Sequence, residues 1–307
     1  MDNWRKNPLV FWVFALPPSL WLVAFFLVPL ALIWVLSFGE KSGLIQVVVT
    51  WVPDNYLRAL DPIYLQIFAK SFWFAGLTTF FCLVIGFLIA VAITFAPARR
   101  RAMLLLLVML PFWTNLLIRT YALITVFRTK GVINHGLEFL WERSNALLEL
   151  VGFGQLQLLG EQFQPLKMLY NNFAVVAGLV YVHLPFMVLP LYAALARMDR
   201  SYIEASLDLG AGQLRTFRSV VIPLAMPGIV SGAIITFVPA LGSFLTPDLL
   251  GGTDSQMIAN VIERQFKSAN DWPFGAALSF LLMYITFIAI AMRSLWASRL
   301  ERRGLEL

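Results

Sequence analysis

Six long apolar runs, separated by polar connections, set the pattern of the chain: residues 11–38, 67–95, 102–126, 173–196, 226–250 and 274–295. Each meets or exceeds the about 20 residues that a helix needs to cross a bilayer. The runs are continuous rather than alternating, so they predict helices and not the strands of a membrane barrel. The first run is longer than a signal-peptide core, and no small-residue cleavage site follows it. It is expected to be a retained span. The pattern therefore predicts an all-α integral membrane protein with six transmembrane helices in a single domain covering residues 1–307.

Prolines 17, 18, 29, 111, 185, 190, 239 and 247 fall inside or beside these runs. In water each would cost dearly inside a helix, but a membrane bundle can satisfy the freed carbonyls. Kinked or broken spans are expected, with breaks gathered around a translocation path. Residues 132–150 mix apolar and charged positions, which predicts a short helix lying on the outer surface.

Composition supports the membrane reading. Hydrophobic residues make up 60% of the 307 and charged residues 13%, against about 25% charged in soluble domains. So few charges could not cover the surface of a water-soluble fold this long. Cys82 is the only cysteine, which excludes a disulfide within the chain. His135 and His183 are too far apart in sequence to suggest a zinc cluster.

The net charge of +6 is unevenly placed. Arg5, Lys6, Arg99–Arg101, Arg197, Arg200, Arg215, Arg218, Arg293, Arg299, Arg302 and Arg303 all fall on one side of a six-span chain. That side has 13 basic residues and six acids, and the other has nine basic residues and 11 acids. The positive-inside rule then puts both termini in the cytoplasm. The same asymmetry explains the basic balance without nucleic acid as a partner. Trp51, Trp141 and Trp272 fall where an interfacial aromatic belt is expected.

The connection at 199–227 is the most informative. Asp199 or Ser201 can cap a helix, Gly210 and Gly212 supply a turn, and a second helix starts at Gln213 with a stop expected at Pro223. Arg200, Glu204 and Asp208 form a charged line at i, i+4 spacing. Leu214, Phe217 and Val221 form an apolar stripe on the second helix.

This segment resembles the cytoplasmic Glu-Ala-Ala loop of ABC importer permeases. Glu204-Ala205-Ser206, then Gly210, then Val220-Val221-Ile222-Pro223 keep that family's spacing, with Ser206, Val220 and Ile222 as conservative departures. The resemblance implies a type I ABC importer permease fold in a bacterial inner membrane, with a coupling loop at 199–223 seated on a cytoplasmic ATPase. Glu204, Ala205, Ser206, Asp208, Gly210 and Pro223 would form the ATPase-coupling site. It also implies a pair of ATPase subunits, a second homologous permease and an extracytoplasmic substrate-binding protein as partners, besides membrane lipid. ATP and magnesium would be used by the ATPase and not bound by this chain. ATP-driven closure would then move the permease halves by alternating access.

Further segments resemble the spermidine/putrescine branch of these permeases, and within it the first of the two permease subunits. They are Pro111-Phe-Trp-Thr-Asn115 with Leu117-Ile-Arg119-Thr-Tyr121, Thr129-Lys-Gly131-Val-Ile-Asn134, the stretch 182–192, the stretch 238–252, and Asp271-Trp-Pro-Phe-Gly-Ala276. A polyamine is a flexible polycation, which acidic and aromatic groups can attract. Asp248, Trp113, Tyr121 and Phe244 are the candidates for the substrate path. Arg119 lies inside the third run, where a charge is costly, and is expected to pair with an acid such as Asp248 or to reach outward.

Other classes fit less well. No glycine is followed by lysine, so the P-loop pattern is absent. An ion-coupled carrier would want ionisable groups at mid-membrane, and apart from Arg119 the runs are almost uncharged. No His-Glu-x-x-His pattern or nucleophile–base pair accompanies His183. An ABC permease for another small solute remains the alternative on substrate.

Overall fold

The computed structural model describes residues 8–43, 46–150 and 163–302. Arg5, Lys6 and Arg303 lie outside those residues. In chain order, helix α1 runs Pro8–Leu22, passes through a π-turn at Val23–Leu27 and continues as Val28–Leu36. Strands β1 (Gly39–Ser42) and β2 (Gln46–Val49) follow, then α2 (Asp54–Arg58) and α3 (Pro62–Phe95). After these come α4 (Ala98–Met109), α5 (Leu116–Phe127), α6 (Val132–Leu150) and α7 (Asn172–Ala196). Helix α8 is Ser201–Asp208, and α9 runs without interruption from Gln213 to Leu241. The last are α10 (Leu245–Leu250), α11 (Ile258–Lys267) and α12 (Trp272–Arg302). Among the described residues, five helices are long and apolar enough to cross a bilayer, and six spans result if one bent pair counts as a span.

That bent pair corrects the third expected span. Residues 102–126 are not one helix. Helix α4 tightens into a 3₁₀ turn at Leu110–Trp113, the chain extends at Thr114 and Asn115, and the next helix leaves at 95°. The sequence explains the break. Pro111 starts the 3₁₀ turn, Thr114 Oγ1 donates to Pro111 O at 2.7 Å, and Asn115 Oδ1 caps the new helix by accepting from Leu117 N at 2.8 Å.

The fifth span also differs from expectation. It starts at Gln213 and ends at Leu241, with Gly242, Ser243 and Phe244 separating it from α10. Pro223 does not end a helix. A π-turn at Phe217–Val221 lies just before it and widens the backbone, leaving room for a ring that would otherwise strike the carbonyl four residues back. The π-turn at Val23–Leu27, two residues ahead of Pro29, is the same solution in α1.

The connections hold more structure than the pattern predicts. Residues 39–66, between the first two apolar runs, contain the antiparallel pair β1–β2, with Gly43 at φ +73 in its turn. Residues 251–273 contain α11. Residues 132–150 form a helix as expected.

The chain divides into two compact units. One comprises residues 1–65 and 261–294. In it Arg58 pairs with Asp271 at 2.8 Å and lies 3.9 Å above the Phe274 ring, while Trp34 Nε1 donates to Tyr284 Oη at 2.8 Å. Asn55 Nδ2 donates to the carbonyls of Ser37 and Gly39, which ties α2 to the end of α1.

The other unit comprises residues 66–260 and 295–307. Its core joins Cys82, Phe87 and Ala90 of α3 to Met187, Leu191 and Leu195 of α7 and to Val221 and Ala225 of α9. Helices α7 and α9 approach closely because α9 carries Gly228 and Gly232 four residues apart. A Cβ on Gly228 would stand 2.6 Å from Ala194 Cβ, and one on Gly232 would stand 2.8 Å from Met187 Sδ. Small residues at this spacing let membrane helices pack backbone to backbone.

Candidate functional site

The hairpin of α8 and the start of α9 forms as the motif predicts. Asp199 Oδ1 accepts from the Ser201 N–H at 3.0 Å, which occupies one of the unpaired donors at the start of α8. That bond holds the Asp199 carboxyl below the usual carboxylate range. At the far end Gly210 adopts φ +81, a left-handed geometry that suits glycine, and the chain reverses into Gln213.

The two arms are joined by Ser206 and Thr216, whose hydroxyls lie 2.9 Å apart, with Thr216 buried. Ser206 is where the family pattern has alanine, so this bond depends on the departure. The hairpin is anchored through Ile203, Phe217 and Val221, which pack on the α3–α7–α9 core. Phe217 meets Phe87 edge to face at 5.4 Å.

The outer face differs from the sequence reading in two ways. Leu214 does not join the stripe of Phe217 and Val221; it is 73% exposed, because the stripe starts one turn later. The line Arg200–Glu204–Asp208 is exposed and forms no ion pair among the described residues; Arg200 instead lies 5.6 Å above the Phe95 ring. Glu204 and Asp208 therefore face outward beside Leu209, which is 89% exposed, and Leu214. Two bare leucines flanked by carboxylates make a knob for a partner with an apolar socket and a basic rim. Leu209 was missed in the sequence, although a leucine directly before the turn glycine was the available signal. A cavity of about 590 Å³ lies at the root of the hairpin, lined by Arg197, Asp199, Tyr202, Leu224 and Pro227 among others.

The candidate path residues lie on neighbouring pieces. Trp113 is in the 3₁₀ turn at the break and is 74% exposed. Tyr121 is on α5, and α10 packs on α5 with Asp248 in its first turn and Phe244 just before it. All four side chains are exposed. Asn260 Nδ2 donates to the Phe244 carbonyl at 2.8 Å, which fixes the entry to α10.

Arg119 corrects an expectation. It is only 8% exposed, it forms no ion pair among the described residues, and its Nε and Nη1 have no hydrogen-bond partner there. It neither pairs with Asp248 nor reaches outward. The break lies just before it, and the guanidinium is buried near His183. His183 is held by a 2.8 Å contact from Nδ1 to the Leu179 carbonyl. Among the described residues, no group of three or more His, Cys, Asp or Glu side chains could hold a metal ion.

Residues 82–303 match the family described as "Binding-protein-dependent transport system inner membrane component", and the chain belongs to it. It is a multi-pass inner-membrane component of an import system and not an enzyme. The chain is similar to the spermidine/putrescine transport system permease protein PotB of Escherichia coli (strain K12), at 39% identity over 94% of this chain and 97% of that one. It is 36% identical to the PotB of Haemophilus influenzae over 88% of each chain. A chain in the crystal structure of a bacterial ABC transporter that imports the acidic polysaccharide alginate shares the fold, with a TM-score of 0.68, 16% identity and 98% of both chains covered.

Proposed function

We propose that this chain is one permease subunit of an ATP-driven importer of polyamines, spermidine or putrescine, and that residues 1–307 act as one permease domain with both termini in the cytoplasm. The similarity to proteins named as spermidine/putrescine permeases, at 39% identity along nearly the whole chain, carries this reading. The ATPase seats on the hairpin at 199–223, with Leu209 and Leu214 filling its socket and Glu204 and Asp208 meeting its basic rim. Ser206 and Thr216 keep the two arms together, Ala205 lies on the exposed face beside Glu204, and Gly210 permits the reversal. Pro223 lies inside the helix that carries the hairpin into the membrane.

The partners are a pair of ATPase subunits that use ATP and magnesium, a second permease and an extracytoplasmic receptor. Asp248, Tyr121, Trp113 and Phe244 offer a carboxylate and aromatic faces to ammonium groups. ATPase stimulation of the reconstituted importer by a panel of polyamines, amino acids and anions is the test. Spermidine or putrescine should stimulate it, and stimulation by amino acids or anions alone would assign a different small solute.

A further inference from the structure

A basin of about 720 Å³ lies where α5 ends and α7 begins, lined by Ile124, Arg128, Thr129, Lys130, Lys167, Leu169 and Tyr170. Three of these seven residues are cations and none is an acid. Among the described residues, Arg128, Lys130 and Lys167 form no ion pair.

The basin is built, not incidental. Asn134, 2% exposed, clamps both of its rims: Nδ2 donates to the carbonyls of Arg128 and Leu166, and Oδ1 accepts from Leu166 N at 2.8 Å. Gly131 closes the turn that carries Arg128 and Lys130, donating to the Arg128 carbonyl at 2.7 Å; a Cβ there would lie 2.6 Å from Val126 O. Tyr170 adopts φ +59, an uncommon conformation for a bulky residue, and is held in it by donating to the Leu250 carbonyl at 3.0 Å. Gly252 makes room beneath, since a Cβ there would lie 2.5 Å from Tyr170 O.

The location selects the ligand. The end of a span is the boundary between hydrocarbon and headgroups, on whichever side of the membrane it lies. Ile124, in the last turn of α5, and Leu169 supply apolar wall at that boundary, and the three cations with the Tyr170 hydroxyl supply charge and hydrogen bonding above it. That combination fits an amphiphile with an anionic head. A cationic solute would be repelled.

We propose that Arg128, Lys130, Lys167 and Tyr170 form a binding site for the headgroup of an anionic phospholipid. The phosphate accepts hydrogen bonds from the guanidinium and the two ammonium groups, Tyr170 reaches the glycerol, and the acyl chains descend past Ile124. This site uses none of the residues assigned to the coupling hairpin or to the candidate path, and it does not depend on the substrate.

The test is native mass spectrometry of the assembled importer titrated with phosphatidylglycerol or phosphatidylcholine. The wild type should retain phosphatidylglycerol in preference to phosphatidylcholine. The triple variant Arg128→Gln, Lys130→Gln, Lys167→Gln should lose affinity for phosphatidylglycerol about tenfold or more, given the attraction each cation adds near anionic lipid. A charge-keeping variant, Arg128→Lys with Lys130→Arg and Lys167→Arg, should stay within about threefold of wild type, and intact assembly of both variants on size exclusion rules out misfolding. Equal retention by the wild type and the triple glutamine variant overturns the proposal. Displacement of the lipid by millimolar inorganic phosphate would make this a free-anion site and also overturn it. So would unchanged lipid retention accompanied by loss of an acidic partner protein.

Discussion

Arg119 is a costly side chain where it lies, a buried charge within a membrane helix. Its Nε and Nη1, which carry three N–H groups, are buried without a partner among the described residues, and each such group costs about 1–3 kcal/mol, more when charged. Arg119→Met removes that cost, so the unfolding midpoint of the assembled importer should hold steady or rise. A fall of several degrees would mean that another subunit supplies the missing acid. Gly210 carries the opposite lesson. At φ +81 an alanine costs about 1–2 kcal/mol, so Gly210→Ala should weaken ATPase association while leaving membrane insertion intact. Glu204→Lys should loosen the same association in mild detergent without disturbing the hairpin, since its side chain is exposed; co-purification of the ATPase reads both variants. Asp199 adds a pH dependence. Its pKa is lowered by the bond from Ser201, so the cap is present above the ordinary carboxylate pKa and is lost as pH falls through the lowered value. Asp199→Asn keeps an acceptor that does not titrate and should remove that acid sensitivity, as followed by carboxyl and amide NMR shifts.

At the scale of elements, the close approach of α7 and α9 depends on Gly228 and Gly232. Gly228→Leu would drive a side chain into Ala194 and the Pro190 carbonyl, so it should prevent stable accumulation, while Ser231→Ala, on the same helix and only partly buried, should not; expression in membranes compares them. The long spans were legible because an apolar run of about 20 residues has one structural use in lipid. The hairpin was legible because cap, glycine turn and spacing all act locally. Three features were not. Pro111 and Pro223 look alike in sequence, yet one accompanies a 95° break and the other sits in a continuous helix. The difference lies in the neighbouring backbone: Thr114 and Asn115 offer side-chain caps that satisfy a break, and the residues before Pro223 offer a π-turn that absorbs the ring. The β1–β2 pair was hidden because four-residue strands give too short a pattern to read. The Gly228–Gly232 spacing was present and went unread. The four candidate path residues could be named from the sequence as a proposal, whereas the burial of Arg119 just after the break could not be read there.

For the whole molecule, the uneven distribution of charge makes a definite claim about orientation. In a Cys82→Ser background, a cysteine at Gln213 should react with an impermeant thiol reagent only in inside-out vesicles, and one at Thr129 only in intact spheroplasts. The reverse labelling would place the ATPase knob on the wrong side and end the coupling proposal. The uninterrupted run from Gln213 to Leu241 has a further mechanical consequence. Twenty-nine residues of continuous helix make a rod roughly 43 Å long, with the hairpin at one end and Pro227 and Pro239 inside it. Leverage applied at that end cannot be absorbed in a slack linker; a 10° tilt about the far end carries the near one roughly 7 Å. The π-turn keeps the shaft whole where a proline would otherwise have put a joint.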